Sequence, residues 1–184
     1  SGGDQNQGHD AAVIDNILFD FHWKTATNIY DVTDPSNPTL LGAINAPFIR
    51  SHHSGWPTAD GRFLFLCDEL AANRQNRIDQ PDLSIWDISD FSNPELVARF
   101  TDPSARIHNL YIIDDYAYVS YYAAGFRVFD VSEVTNIVLV DEFDTSPSIS
   151  GRAIFGGAFG VYPFAPSGNI YVSDTENGLF IFAF

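Results

Sequence analysis

The sequence predicts an all-β protein, a β-propeller built of four-stranded antiparallel blades, and three observations predict it. Aromatic and β-branched residues come in short runs bounded by turn residues, and no helical period stands out. The same run-and-turn unit recurs along the chain. A signature recurs with it: an apolar strand closed by Asp, then a Ser/Thr and Asp/Asn turn.

The clearest unit is His108–Phe143, read as strands at Asn109–Ile113, Tyr116–Tyr121, Phe126–Val131 and Ile137–Phe143. A lone meander leaves its apolar faces uncovered, so a chain that repeats it must stack the copies. His9–Asp31 aligns with His108–Asp130 without a gap, and Tyr171-Val172-Ser173 with Gly178–Phe182 repeats Tyr118-Val119-Ser120 with Gly125–Phe129 at an offset of 53 residues. A third copy runs from His53 through Phe63–Leu66 to Ser84–Asp87, lengthened near Ala71–Leu83. The predicted blades are therefore about residues 8–45, 51–100, 107–143 and 156–184, preceded by residues 1–7 as a disordered leader or cloning remnant.

Asp31, Asp87 and Asp130 close the third strand of successive blades, 56 and 43 residues apart. A carboxylate there can accept turn amides, and Pro38 and Pro94 end the ladder, which gives the Asp set a structural role. Near Gly156–Pro163 the small residues predict close backbone approach. The last blade offers only three strands, which predicts a larger ring or completion by another chain; a self-closed four-bladed ring is the fallback.

A formal charge of −15, from 24 acidic against 9 basic residues with Lys24 the only lysine, disfavours nucleic acid as a partner. No apolar run reaches the length of a membrane span, so direct membrane insertion is not expected. The single Cys67 lies in an apolar strand, which excludes an internal disulfide and reads as packing. Phosphate loops, nucleophile elbows, CxxC pairs and HExxH helices are not found.

The first strand of each propeller blade lines the channel, and the alignment puts His9, His53 and His108 at its start in three consecutive blades. Three imidazoles converging on one mouth can hold a divalent transition metal; alternatively each ring bonds a neighbouring blade's backbone. A second set, His22, Asp68, Tyr121 and Asp174 with Glu69 and Glu176 nearby, falls at the end of strand two. Carboxylates there can hold calcium or act as a base, for which Asp68 and Glu69 are the candidates, although no D-x-D-x-D-G loop is present. Trp23, Trp56, Tyr121, Tyr122 and Asp174 make up the predicted binding rim, with Trp23 exposed and Trp56 and Trp86 packed.

The repeat G(L/F)-x-(V/I)-(F/Y)-D-(V/I)-(S/T)-D-x-x-N-P resembles the LVIVD repeat of bacterial secreted and surface propellers. The order Ser51–Trp56, Cys67–Leu70, His108–Tyr111 and Gly157–Pro163 is similar to the choice-of-anchor B group within it, from Gly8 onward. The match has one internal departure, Asn136-Ile137 in place of Asn-Pro. The resemblance implies an extracellular or cell-surface location and a fold more than a chemistry. The expected function is a non-enzymatic binding or scaffold module, acting through its channel mouth and the Ala71–Leu83 loop with a protein partner. The alternatives are a metal-dependent enzyme with a His-lined mouth and a structural subunit of a surface assembly.

Overall fold

A computed structural model describes residues 8–71, 81–151 and 154–184. Its 15 strands form four antiparallel meanders, the blades of a propeller. Blade one holds β1 (Asp10–Ile14), β2 (Ile17–Phe21), β3 (Thr27–Asp31) and β4 (Thr39–Ile44). Blade two holds β5 (Ser54–Pro57), β6 (Phe63–Cys67), β7 (Leu83–Asp87) and β8 (Glu95–Phe100). Blade three holds β9 (Leu110–Ile113), β10 (Tyr116–Ser120), β11 (Phe126–Asp130) and β12 (Val138–Phe143). Blade four has three strands among the described residues, β13 (Ala158–Tyr162), β14 (Asn169–Asp174) and β15 (Gly178–Ala183). The Ala71–Leu83 insertion lies largely outside the described residues, as do residues 1–7.

Local chemistry sets the repeat. The β1–β2 turn is Asp15-Asn16, both residues at positive φ (51° and 64°), the conformation whose twist matches a tight hairpin. Each of the first three blades carries a bulge at one place between its third and fourth strands, after Ile29, Ile85 and Val128. The carboxylates that follow clip the next turn. Asp31 accepts the Thr33 amide at 2.8 Å, Asp87 that of Ser89 at 2.9 Å and Asp130 that of Ser132 at 2.9 Å. The Thr33 amide holds the Asp31 carboxyl below 3.8, and the hydroxyls and amides of Ser89 and Ser132 do the same for Asp87 and Asp130, so the structural reading of the Asp set stands on these bonds.

Because side chains alternate across a strand, each blade offers one face to the preceding blade and one to the following. Ala12, Phe19 and Ile29 of blade one meet Leu64, Leu66 and Trp86 of blade two. Phe65, Cys67 and Ile85 on the other face of blade two meet Leu110, Ile112 and Val119 of blade three. Tyr118, Phe126 and Val128 then meet Val161, Ile170 and Val172 of blade four. Among the described residues no such core joins blade four to blade one, and Val13 (58% exposed) and Ile181 (57%) lie bare on their outer faces. Three inter-blade cores thus join the four blades in order among the described residues. Cys67 packs in the second core, its thiol pushed up by burial.

Gly157 shows why small residues stand where β13 begins. At φ 104° it lies against the Tyr122 carbonyl, and a Cβ would overlap that oxygen. The approach lets the Ala158 amide donate to Tyr122 O at 2.9 Å, tying blade four to the turn after β10.

Candidate functional site

Three histidines occupy one structural position. His9, His53 and His108 each precede the innermost strand of a blade, and each donates its backbone N–H to the end of the second strand. The acceptors are Phe21 O (2.8 Å), Cys67 O (3.1 Å) and Ser120 O (2.9 Å). Stacking the blades therefore stacks the rings, with centroids 4.4 Å apart for His9 and His53 and 4.6 Å for His53 and His108. The rings border a cavity of about 310 Å³ together with Asp10, Glu69, Asn109, Tyr122 and Phe159.

The second ring nitrogens decide what the site can do. His108 Nδ1 lies 2.6 Å from the Phe159 carbonyl, a pure acceptor, so Nδ1 carries the hydrogen and Nε2 keeps its lone pair. His53 Nδ1 lies 3.1 Å from Ser54 Oγ, whose own hydrogen goes to His108 O at 3.0 Å. The hydroxyl must then accept from His53, and His53 Nε2 is likewise a bare lone pair. Burial pushes both imidazoles down, His53 to about 2 with His108 and His9 beside it, and His108 to about 4. Both are neutral at pH 7.

Glu69 faces these two lone pairs. Its Oε2 is 3.7 Å from His53 Nε2 and its Oε1 is 3.9 Å from His108 Nε2; all three ligand atoms lie within 4.8 Å of one another. Tyr122 donates to Glu69 Oε1 at 2.6 Å and fixes the carboxylate, while burial and this bond push the phenol's pKa up. Two imidazole lone pairs and the Glu69 carboxyl group, all buried, converge, with the Tyr122 hydroxyl donating to Glu69 Oε1. Such a set can hold a cation. For metal–nitrogen bonds of 2.0–2.1 Å, tetrahedral geometry needs ligand atoms about 3.3 Å apart, so the side chains must close by only about 0.4–1.5 Å.

The structure redistributes the expected roles. His9 is exposed, lies outside the ligand triad, and stacks between Trp23 (4.5 Å) and His53. Glu69, considered as a base, takes the third ligand position. Asp68 clamps the backbone: it is buried and accepts the Arg50 amide (2.6 Å), the Ser51 amide (2.9 Å) and hydroxyl (2.8 Å), and the Leu70 amide (3.1 Å). Burial pushes its carboxyl up and those bonds oppose it; the clamp fixes the turn that presents Glu69. Arg106 donates to the Glu69 carbonyl from the other side.

The predicted rim also divides. Tyr122 lines the cavity and Trp23 stands beside it, but Trp23 is half-buried rather than exposed. Tyr121 is sealed in the core between blades two and three, because the turn after β10 points it away from the hub. Asp174 is buried under blade four, accepting Ser146 Oγ–H at 2.9 Å and the amides of Glu176 and Asn177. Trp56 packs away from the histidine ring against Tyr111 (4.9 Å) and Phe164 (5.3 Å). Asn109 and Phe159 were missed: the first is an ordinary strand residue, and the second acts through its carbonyl, which no residue type reveals.

Comparisons with known proteins agree with the repeat. The LVIVD repeat family matches residues 79–102 and 107–145. Two stretches of this β-propeller thus match the LVIVD repeat. No curated protein matches this propeller in sequence. Among solved structures it is similar to the C-terminal WD40 domain of Sif2, with 13% identity and TM-score 0.69, over 99% of this chain and 47% of that one. It is also similar to the periplasmic gluconolactonase PpgL of Pseudomonas aeruginosa, with 15% identity and TM-score 0.66, over 96% of this chain and 50% of that one. The computationally designed Ika4 protein matches at 11% identity and TM-score 0.64, over 99% of this chain and 94% of that one. At these identities the likeness is one of fold. The propeller spans about half the length of the two natural chains.

Proposed function

We propose that this propeller is a binding module that holds a divalent transition metal at its hub through His53 Nε2, His108 Nε2 and Glu69, leaving further positions for an incoming ligand. The observation that carries this reading is the anchoring of both Nδ1–H groups, which aims two bare Nε2 lone pairs at one buried carboxylate. Two imidazoles with one carboxylate suit zinc or ferrous iron, whereas calcium asks for an oxygen shell that this site lacks. Tyr122 holds the carboxylate and the Phe159 carbonyl holds His108, the outer partners that orient ligands.

The LVIVD match and the choice-of-anchor B resemblance support placing this module on an exported bacterial propeller, extracellular or at the cell surface, with a protein partner. Fractionation of the producing cell tests that placement, and recovery solely from the cytosol sinks it. The metal is tested on chelator-treated protein titrated with Zn(II), or with Co(II) followed by its visible absorption. One equivalent per chain is expected. Glu69→Gln, His53→Ala and His108→Ala each abolish it, and Tyr122→Phe weakens it about 10–100-fold. Failure of the unaltered protein to take up either ion, or uptake that survives all three ligand substitutions, overturns the reading.

A further inference from the structure

The two ends of the blade stack differ in charge. Each of the first three blades starts at its histidine, so the hairpins joining its first to second and third to fourth strands turn at the opposite, far end. Those turns hold the clip carboxylates Asp31, Asp87 and Asp130 and, nearer the channel, Asp15, Asp60, Asp114 and Asp115. Basic residues are distributed the other way. Among the described residues Lys24, Arg50, Arg99, Arg106 and Arg127 lie toward the histidine end, which leaves Arg62 alone at the far one.

Two cavities open at the far end and share the turn Thr58-Ala59-Asp60. The larger, about 380 Å³, lies between blades two and three, with half-buried Phe63 and Val134 and buried Val131 as its floor and exposed Asp60, Asp114 and Asp115 as its rim. The smaller, about 140 Å³, has Ile14, Pro57 and Ile112 as its floor and Asp15 with Asp60 at its rim. Both lie between blades that this chain itself supplies. Among the described residues none of the four rim carboxylates forms an ion pair. The Thr58 hydroxyl (2.6 Å) and the Arg62 amide (3.1 Å) donate to Asp60 and hold its carboxyl below the ordinary value, so it is ionised at pH 7.

An apolar floor under unpaired carboxylates complements a side chain with an apolar stem and a cationic head. The chain shows this pairing in its own residues. Arg62, next to Phe63, lays its guanidinium 4.7 Å from the centroid of that ring and bonds Asp87 Oδ2 at 3.0 and 3.1 Å. We propose that the two cavities dock a basic peptide segment in extended form, arginines two residues apart placing one side chain in each. Alternate residues of an extended chain point to one side, which suits neighbouring cavities with a common wall. The formal charge of −15 draws such a partner in, and the lack of other basic residues at this end leaves the rim free to pair with it. The proposal does not rest on the metal, whose ligands lie at the other end.

The test is fluorescence anisotropy of a labelled Gly-Arg-Leu-Arg-Gly peptide titrated with the purified chain at about 0.15 M salt. One peptide per chain is expected to bind, and the matched Gly-Glu-Leu-Glu-Gly peptide is expected not to. Asp114→Asn combined with Asp115→Asn should weaken binding about 10-fold. Asn keeps the turn, since it tolerates the positive φ (51°) of residue 114. Ala59→Arg, at an exposed position shared by both cavities, puts the chain's own guanidinium there and is expected to abolish binding. Asp34→Asn combined with Glu95→Gln removes two charges from outer turns of the same end that line neither cavity, and should weaken binding less than about 2-fold. All the altered residues are exposed, and circular dichroism is expected to be unchanged throughout. No saturable binding, equal losses from the two double substitutions, binding that survives Ala59→Arg, or capture of the glutamate peptide overturns the proposal.

Discussion

The third strands of the middle blades, β7 and β11, bury four and two of their five residues, whereas β15, the third strand of the last blade, buries none fully. The sequences differ little: Phe126-Arg127-Val128-Phe129 of blade three and Leu179-Phe180-Ile181-Phe182 of blade four share one pattern. What separates them is having a neighbour. A blade is apolar on both faces, and its stability is set by how many faces are covered rather than by its own composition, as in any stacked repeat.

The largest effects should come from the covered faces. Phe65→Ala, at a fully buried site between blades two and three, is expected to cost about 3–5 kcal/mol, whereas Leu179→Ala costs at most about 0.5 kcal/mol in the single array. Urea denaturation of both variants checks this, and equal losses would break the contrast. Next comes the pair of Asp102 and Arg127, shielded beside the same core; Asp102→Ala leaves the guanidinium with Glu142 alone and is expected to cost about 3 kcal/mol. Arg62→Ala removes an exposed pair with Asp87 and should change stability by less than about 1 kcal/mol.

Smaller effects sharpen the comparison at the backbone. Gly157→Ala meets the Tyr122 carbonyl and is expected to cost about 2 kcal/mol or more, while Gly61→Ala, at φ 69° in open space, costs about 1 kcal/mol. Thermal melts of the two variants separate close approach from conformational strain alone. The smallest effect belongs to the turn carboxylates. Asp31 is held down by the Thr33 amide, and Asp87 and Asp130 by the hydroxyls and amides of Ser89 and Ser132. Their folded values lie below the ordinary 3.8, so their contribution is full above 3.8 and is lost as pH falls through the lower values. Urea midpoints should therefore drop between about pH 5 and about pH 3, and Asp130→Asn should flatten that drop slightly.

Much of the fold was legible because blade chemistry is local. Strands at Asn109–Ile113 and Tyr116–Tyr121 are seen at Leu110–Ile113 and Tyr116–Ser120, and the Asp set sits in the turns its spacing implied. The equivalence of His9, His53 and His108 was legible too, since the His9 and His108 copies align without a gap and the His53 copy is lengthened only in its loops. The third ligand was not. Glu69 enters the site because Asp68 and Arg106 hold its turn, and Tyr121 leaves the rim because the same stretch that aims Tyr122 at the cavity turns it into the core.

The sequence by itself determined the repeat, its strands, its turn clips and the alignment of three imidazoles, all consequences of contacts within a few residues. Tertiary structure alone decided which imidazoles face a carboxylate and which ring nitrogen keeps its lone pair. Those depend on side chains from different blades meeting, and on the curvature of the stack, neither of which any single segment encodes.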